Sequence, residues 1–415
     1  MISLKKNKVF GNTLMLYIMS FVKLILPLLT MPYLTRVLSE EAYGLTSYVR
    51  SYMTYMQLFI DFGFILSSVK DIVKAGEDKK AIGKISGNTI VAKSLLTVAA
   101  AVVMFFICVS MEVLRNNWLY VLLSFISVAT TVFLLDFLFR GIEKMQYITF
   151  IFLITKSIST ILTFVLVKND DTIMWIPVLE IIAHIISVVI SIGILKKLDI
   201  KLQVSGIRDC FEMIKDSFKY FLSNIATTAF SAFNTLIIGI YIKDMAVVAH
   251  WSLCLSMITS IQGLYGPICN GVYPHMIKEK SLKFIHKVLL LIMPIVACGC
   301  IFSFLIADKA LLIVGGEIYV EAATLFRCMI PILFFSFPAQ LYGWPTLGAI
   351  GKVKETTIST VVSAVVQIGG LFFLVAISQL NLITMALLRV FTEALLMIIR
   401  MSITYANRKS FVKEV

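Results

Sequence analysis

Twelve nearly uninterrupted apolar runs, most of them a little over twenty residues long, limit what this chain can fold into. They lie near 14–36, 44–68, 86–110, 118–139, 147–167, 173–195, 219–242, 246–271, 285–307, 325–348, 356–378 and 382–405. A helix rises 1.5 Å per residue, so about 20 apolar residues cross a hydrocarbon core of about 30 Å. The runs are continuous, whereas the strands of a membrane barrel are short and alternate between lipid and lumen. Only 15% of the 415 residues are charged and 59% are hydrophobic, against about 25% charged in soluble domains. The expected fold is all-α: a polytopic membrane protein of about 12 transmembrane helices.

A net charge of +13 would suit a nucleic-acid partner, but its distribution points elsewhere. The seven alternate flanking segments, counted from the N-terminal tail and with the adjoining turn of each run, hold 25 of the 37 basic residues, including Lys5, Lys6 and Lys8 at the start. The six opposite segments hold Arg36, Arg115, Lys168, Lys243 and Lys309. Basic residues collect on the cytoplasmic side of membrane proteins, so both termini are expected there and most of the charge is topological. No nucleic-acid partner is expected. Trp118, Trp175, Trp251 and Trp344 fall near span ends, as interfacial anchors do. The seven cysteines lie almost wholly within spans and show neither a disulfide framework nor metal-ligand spacing.

The longest polar connection, 196–218, divides the chain into an N-terminal six-helix lobe (1–195) and a C-terminal one (219–405), followed by a cytoplasmic tail (406–415). Within it, "IRDCFEMIKDSFKYF" reads as an amphipathic helix suited to the inner membrane surface. Two six-helix halves fit the parallel-repeat design of transporters, with a substrate site near the midplane. The loops are too short to house a polymerase or ligase site, and neither a Walker A motif nor a zinc pattern is present. No enzyme activity, metal or bound cofactor is expected.

Ionisable residues inside spans are costly, about 2.5 to 3.5 kcal/mol at a helix centre, and usually face water or a partner. Here Lys23, Arg50, Lys93, Lys156, Arg327, Arg389 and Arg400 stand against Asp61, Asp136, Glu180 and Glu393, with His184 near mid-span. The excess of cations implies a cavity that attracts an anion. Candidate substrate-binding residues are Lys23, Arg50, Lys156, Arg389, Lys93 and Arg327; candidates for H+ or Na+ coupling are Asp61, Glu180, Glu393 and His184. Arg50, Thr54, Gln57 and Asp61 share one face of the second helix, and Tyr48, Tyr52 and Tyr55 form a second stripe. Structural alternatives stand beside these. Arg389 with Glu393 and Asp136 with Arg140 are i, i+4 pairs able to neutralise each other, and Arg327 and Arg400 could snorkel from span ends. Pro27 and Pro32 suggest a bent first helix. Arg36, Glu40 and Glu41 could form an ion-pair latch at the outer turn.

The stretch "LLTMPYLTRVLSEEAYGLTSYVRSYMTYMQLFIDFGFILSSVKDI" (28–72) resembles the N-terminal signature of Wzx-type polysaccharide flippases. These belong to the multidrug/oligosaccharidyl-lipid/polysaccharide exporter superfamily. The matching positions are Pro32, Leu34, Thr35, Arg36, Tyr43, Gly44, Phe62, Gly63 and the Ser67–Ser68 pair. "FLFRGIEKMQYI" (137–148), "VYPHMIKE" (272–279) and "LGAIGKVKETTI" (347–358) resemble later family segments. The seventh span carries Asn234 where relatives often have an acidic residue.

The resemblance implies a MATE-like pair of six-helix bundles in the bacterial cytoplasmic (inner) membrane. It implies translocation of undecaprenyl-diphosphate-linked oligosaccharide repeat units, for O-antigen or another surface polysaccharide, from inner to outer leaflet by alternating access. Membrane lipids, a polysaccharide polymerase and a chain-length regulator are the implied partners. A multidrug exporter of the same superfamily is the alternative, though a cationic drug would call for a cavity lined by carboxylates. A non-transporting component of a polysaccharide assembly complex is a second alternative.

Overall fold

The computed structural model describes residues 2–229 and 232–411, and among these it contains helices and turns with no strand. Among the described residues nine helices are long and apolar enough to span a membrane, or ten when the bent pair Ile318–Met329 and Pro331–Gly348, angled at 43°, counts as one. Two other expected spans fall outside that set. The run 44–68 carries Arg50, Gln57 and Asp61 and is broken; the run 219–242 includes residues 230–231, which lie outside the described residues. So do residues 412–415 of the expected tail.

The chain divides into two compact units, Met1–Ala42 with Tyr48–Ile225, and Tyr43–Ser47 with Ala226–Val415. The first contains α1 (Ile2–Val37), most of α2 (Glu40–Asp61), α3 (Phe64–Ala75), α4 (Lys79–Ser110), α5 (Trp118–Thr130), α6 (Asp136–Gly141), α7 (Met145–Leu166), α8 (Trp175–Leu198) and most of α9 (Ile207–Ala229). Pro27 and Pro32 lie inside α1, which continues as one helical element through both.

Ser39 caps α2 by accepting from the Ala42 amide, and Glu40 and Glu41 in its first turn complement the helix dipole. The helix ends at Phe62 and Gly63, both left-handed at φ 40° and 80°. A Cβ on Gly63 would lie 2.5 Å from the Tyr220 Cβ, so the break needs glycine for both conformation and space. The run 118–139 also breaks, without Pro or Gly. Thr130 and Thr131 donate their hydroxyls to the carbonyls of Ser127 and Val128, each at 2.6 Å, and the backbone turns extended at Leu134. Short polar side chains that bond the preceding turn compete with the helical ladder.

The segment expected as a linker is built into the first unit. After α8 the chain runs along α4: the Gln203 amide donates to the Gly83 carbonyl (3.1 Å), and Ser205 and Asn88 exchange two hydrogen bonds (2.9 and 3.0 Å). The approach is so close that a Cβ on Gly83 or Gly87 would lie 2.0 or 2.1 Å from the carbonyl oxygens of Lys201 and Gln203. The amphipathic α9 then packs Cys210, Met213 and Phe221 around Phe62, Phe64 and Ala92. Its Ser217 hydroxyl meets that of Ser67 at 2.6 Å.

The second unit contains α10 (Ala232–Tyr241), α11 (Met245–Gly263), α12 (Tyr265–Glu279), α13 (Leu282–Leu305), α14 (Ala307–Val314), α15 (Ala323–Met329), α16 (Pro331–Leu341), α17 (Val353–Ala376) and α18 (Leu382–Ala406). Ile285 is the one fully buried residue of α13; Phe284, Val288, Ile292 and Val296 pack partly against the Tyr265–Phe337 cluster, while Leu290, Leu291, Ile295 and Leu305 are exposed. Between α16 and α17 the segment Tyr342–Gly348 is wound wide and kinked at Gly343. Arg400 of α18 braces the kink: it donates to the Ala339 carbonyl (2.7 Å) and to the hydroxyls of Ser359 (3.1 Å) and Thr360 (2.9 Å). Its guanidinium therefore does not snorkel.

Candidate functional site

In the first unit, charges that looked scattered along the sequence converge. α2 contributes its polar face, with Arg50 and Thr54 exposed and Gln57 and Asp61 partly buried. Asp61 is held from two sides. Lys93 of α4 donates to its Oδ1 at 2.7 Å, and Gln57 donates to its Oδ2 at 2.6 Å. Gln57 in turn accepts from the Thr131 hydroxyl (3.1 Å), at the break after α5. The break thus supplies a hydroxyl to the polar face of α2.

A second group forms between α5, α7 and α8. Lys156 lies 3.8 Å from Glu180, and their side chains are 37% and 33% exposed. Ser127 donates to the other Glu180 oxygen at 3.1 Å. His184 Nδ1 sits 2.9 Å from the Thr130 hydroxyl and 3.1 Å from the Ser127 carbonyl. Arg50 is within electrostatic reach of Glu180 but forms no ion pair within 4 Å among the described residues. Lys23 of α1 lies 5.1 Å above the Phe152 ring and within electrostatic reach of Asp136, Arg140 and Lys156. Asp136 also feels Lys93 and Asp61, which joins the two groups.

The cations of this cluster are the exposed Lys23 and Arg50 with Lys93, Arg140 and Lys156; the carboxylates are Asp61, Asp136 and Glu180. The excess is positive. In hydrocarbon such a set persists only when water or a charged guest solvates it. Of the sequence candidates, Lys23, Arg50, Lys93, Lys156, Asp61, Glu180 and His184 are brought together here. Sequence reasoning missed Ser127, Thr130, Thr131 and Gln57 as the neutral partners that orient the charges. Their signal was the hydroxyl-rich "SVATT" (127–131) inside an apolar run.

The remaining candidates lie elsewhere. In the second unit, Arg389 and Glu393 are paired at 2.9 Å with side chains 10% and 7% exposed. They adjoin a buried neutral chain in which Thr392 donates to Gln367 (2.6 Å) and Gln367 donates to Asn234 (2.9 Å). Arg327 is bound to Asp308 and to the Phe304 carbonyl near the end of α13. Arg36 donates to the Pro32 carbonyl at 2.8 Å. The turn beside it is tied to the 164–172 segment: Asp170 accepts from the Ser39 amide (2.8 Å), and the Tyr33 hydroxyl bonds the carbonyls of Phe164 and Val167 (2.9 and 2.7 Å). Tyr48 and Tyr52 are buried with hydroxyls 3.3 Å apart beside the Met111 sulfur, so this stripe packs inward.

Among the described residues no group of three His, Cys, Asp or Glu side chains could hold a metal ion. The excess of positive charge gives the site the means to attract and orient an anion.

Residues 9–280 match the model of a family described as polysaccharide biosynthesis protein. The chain is 24% identical over 356 residues to a putative O-antigen transporter of Escherichia coli (strain K12), covering 82% of this chain and 83% of that one. It is 27% identical over 279 residues to a putative O-antigen transporter of Shigella dysenteriae, covering 66% and 69%. Its fold resembles that of an inward-facing multidrug resistance MATE family transporter of the MOP superfamily, with a TM-score of 0.68 at 13% identity over 93% of this chain and 98% of the other. A eukaryotic MATE transporter superposes with a TM-score of 0.61 at 12% identity, over 98% of each chain. The chain is a multi-pass membrane transporter with a MATE-like fold, and it belongs to the polysaccharide biosynthesis protein family.

Proposed function

We propose that this transporter is a flippase. It moves an undecaprenyl-diphosphate-linked oligosaccharide from the inner to the outer leaflet of the bacterial cytoplasmic membrane. The observation that carries the reading is the cationic cluster of the first unit, where the exposed Arg50 and Lys23 stand without a carboxylate within 4 Å among the described residues. A diphosphate-sugar head cannot enter hydrocarbon unaided, whereas its polyprenyl tail never needs to leave it. A protein serving that cargo must offer the head a hydrated, positively charged surface inside the membrane. Arg50 and Lys23 are the first contacts of the diphosphate in this reading, with Lys156 and Lys93 joining once they are released from Glu180 and Asp61. Those two carboxylates are the sites of any proton or Na+ coupling.

The test is reconstitution with a lipid-linked oligosaccharide whose head is scored for leaflet exposure. Arg50→Ala and Lys23→Ala should each lower the flipping rate at least tenfold while membrane insertion stays intact. Wild-type protein that leaves the lipid-linked head where it was, under a proton or sodium gradient of either sign, would overturn the proposal.

A further inference from the structure

Two ion pairs in the first unit differ in how firmly they are made. Asp61 and Lys93 meet at 2.7 Å with the lysine side chain 8% exposed. Glu180 and Lys156 stand 3.8 Å apart, each about one third exposed. Glu180 has a second anchor in the Ser127 hydroxyl at 3.1 Å, with His184 one turn away on the same helix. It can therefore give up Lys156 without losing every partner.

We infer that Glu180 is a built-in stand-in for the ligand: it occupies the Lys156 side of an anion site completed by Arg50, and a diphosphate displaces it. The inference rests on the cationic cluster being the anion site, and it adds how that site is guarded. A positive cleft left open inside a membrane would admit any small anion. With Glu180 in place, a monovalent guest at Lys156 exchanges one negative charge for another and gains little. A diphosphate spanning Arg50 and Lys156 brings enough charge to take both cations at once.

Protonation does the same work as displacement. A neutral Glu180 no longer holds Lys156, so proton uptake and anion binding reinforce each other, and by linkage the reinforcement is reciprocal. The groups that face Glu180 are Lys156 of α7, Arg50 of α2, the buried Tyr120 and Ser127 of α5, and His184 of its own helix. The consequence is directional: guest and proton are favoured together, so an inward proton gradient acting through this pair does not by itself drive an anion outward.

The experiment uses the full chain in lipid nanodiscs with pyrophosphate as probe, its affinity measured by calorimetry at pH 8 and pH 5. Glu180→Gln should bind about tenfold more tightly than wild type at pH 8, and the gap should narrow rather than widen at pH 5. Comparing the proteins at each pH cancels the titration of pyrophosphate itself. Simple repulsion between Glu180 and the guest would also tighten binding, so the measurement is repeated with Lys156→Gln in both proteins. Guarding through Lys156 predicts that the effect of Glu180→Gln falls below about twofold in that background. An undiminished tenfold effect there, or equal affinities of Glu180→Gln and wild type at pH 8, overturns the inference while leaving the anion site standing. Pyrophosphate bound by none of the four proteins at either pH would instead remove the anion site, and this inference with it.

Discussion

The Asp61–Lys93 pair makes an asymmetric prediction. Its two ends sit in different surroundings: the Lys93 side chain is 8% exposed and that of Asp61 is 39% exposed. Asp61→Asn leaves an ammonium group in a dry site with an amide in place of its carboxylate. Removing one partner of a buried pair costs about 3–5 kcal/mol. Water reaching the half-open Asp61 position and the acceptor retained by Asn reduce this to about 2 kcal/mol. Lys93→Met keeps the aliphatic stem and leaves Asp61 partly solvated, still accepting from Gln57 at 2.6 Å. Its cost should be about 0–1 kcal/mol. The double variant loses the stranded charge and should resemble Lys93→Met alone. SDS-titrated unfolding in mixed micelles, followed by far-ultraviolet circular dichroism, measures all three. The reasoning fails if Lys93→Met costs as much as Asp61→Asn, or if the double variant is no more stable than Asp61→Asn.

Two further expectations concern the scaffold. Gly87→Val would drive a side chain into the Gln203 carbonyl and lift the 199–206 segment off α4, so tryptic cleavage after Lys201 should accelerate several-fold in detergent-solubilised protein. Arg400→Ala removes three hydrogen bonds and frees the Ala339 carbonyl at the α16–α17 kink, for about 2–4 kcal/mol in the same SDS titration. Arg400→Lys keeps the charge without the planar fork and should recover less than half of that.

The sequence made the membrane class legible because spanning length and apolar continuity are one-dimensional properties. The signature stretch was legible too, and the structure gives its residues mechanical jobs. Tyr43 packs edge-on against Tyr319, Gly63 forms the break after α2, and Ser67 and Ser68 bond Ser217 and Thr89. What sequence could not supply was the pairing of charges. Lys156 has no opposite charge one turn away in α7, which made it look unpaired, yet Glu180 approaches it from α8. Lys93 likewise finds Asp61 on another helix. Helical spacing reveals neighbours along one helix and is blind to those across a packing seam. The Arg389–Glu393 pair lies within one helix, and that pair was visible in advance. The break at 131–135 was hard to see for a different reason: it arises from threonine hydroxyls competing for backbone carbonyls, with neither Pro nor Gly to mark it.

The seating of residues 201–205 against α4 changes how this protein can be taken apart. A polar connector between two six-helix halves invites the insertion of a reporter, a protease site or a split point. Here its backbone fills the groove left by Gly83 and Gly87, and Ser205 is locked to Asn88. Cutting or lengthening the chain at that point would strip a layer from the N-terminal half and unseat α9, the helix that closes over Phe62 and Phe64. A separately expressed N-terminal half should therefore carry the chain through 225, and a topology tag belongs at the exposed turn after α6, near Glu143, where the backbone is already left-handed and no such groove has to be filled.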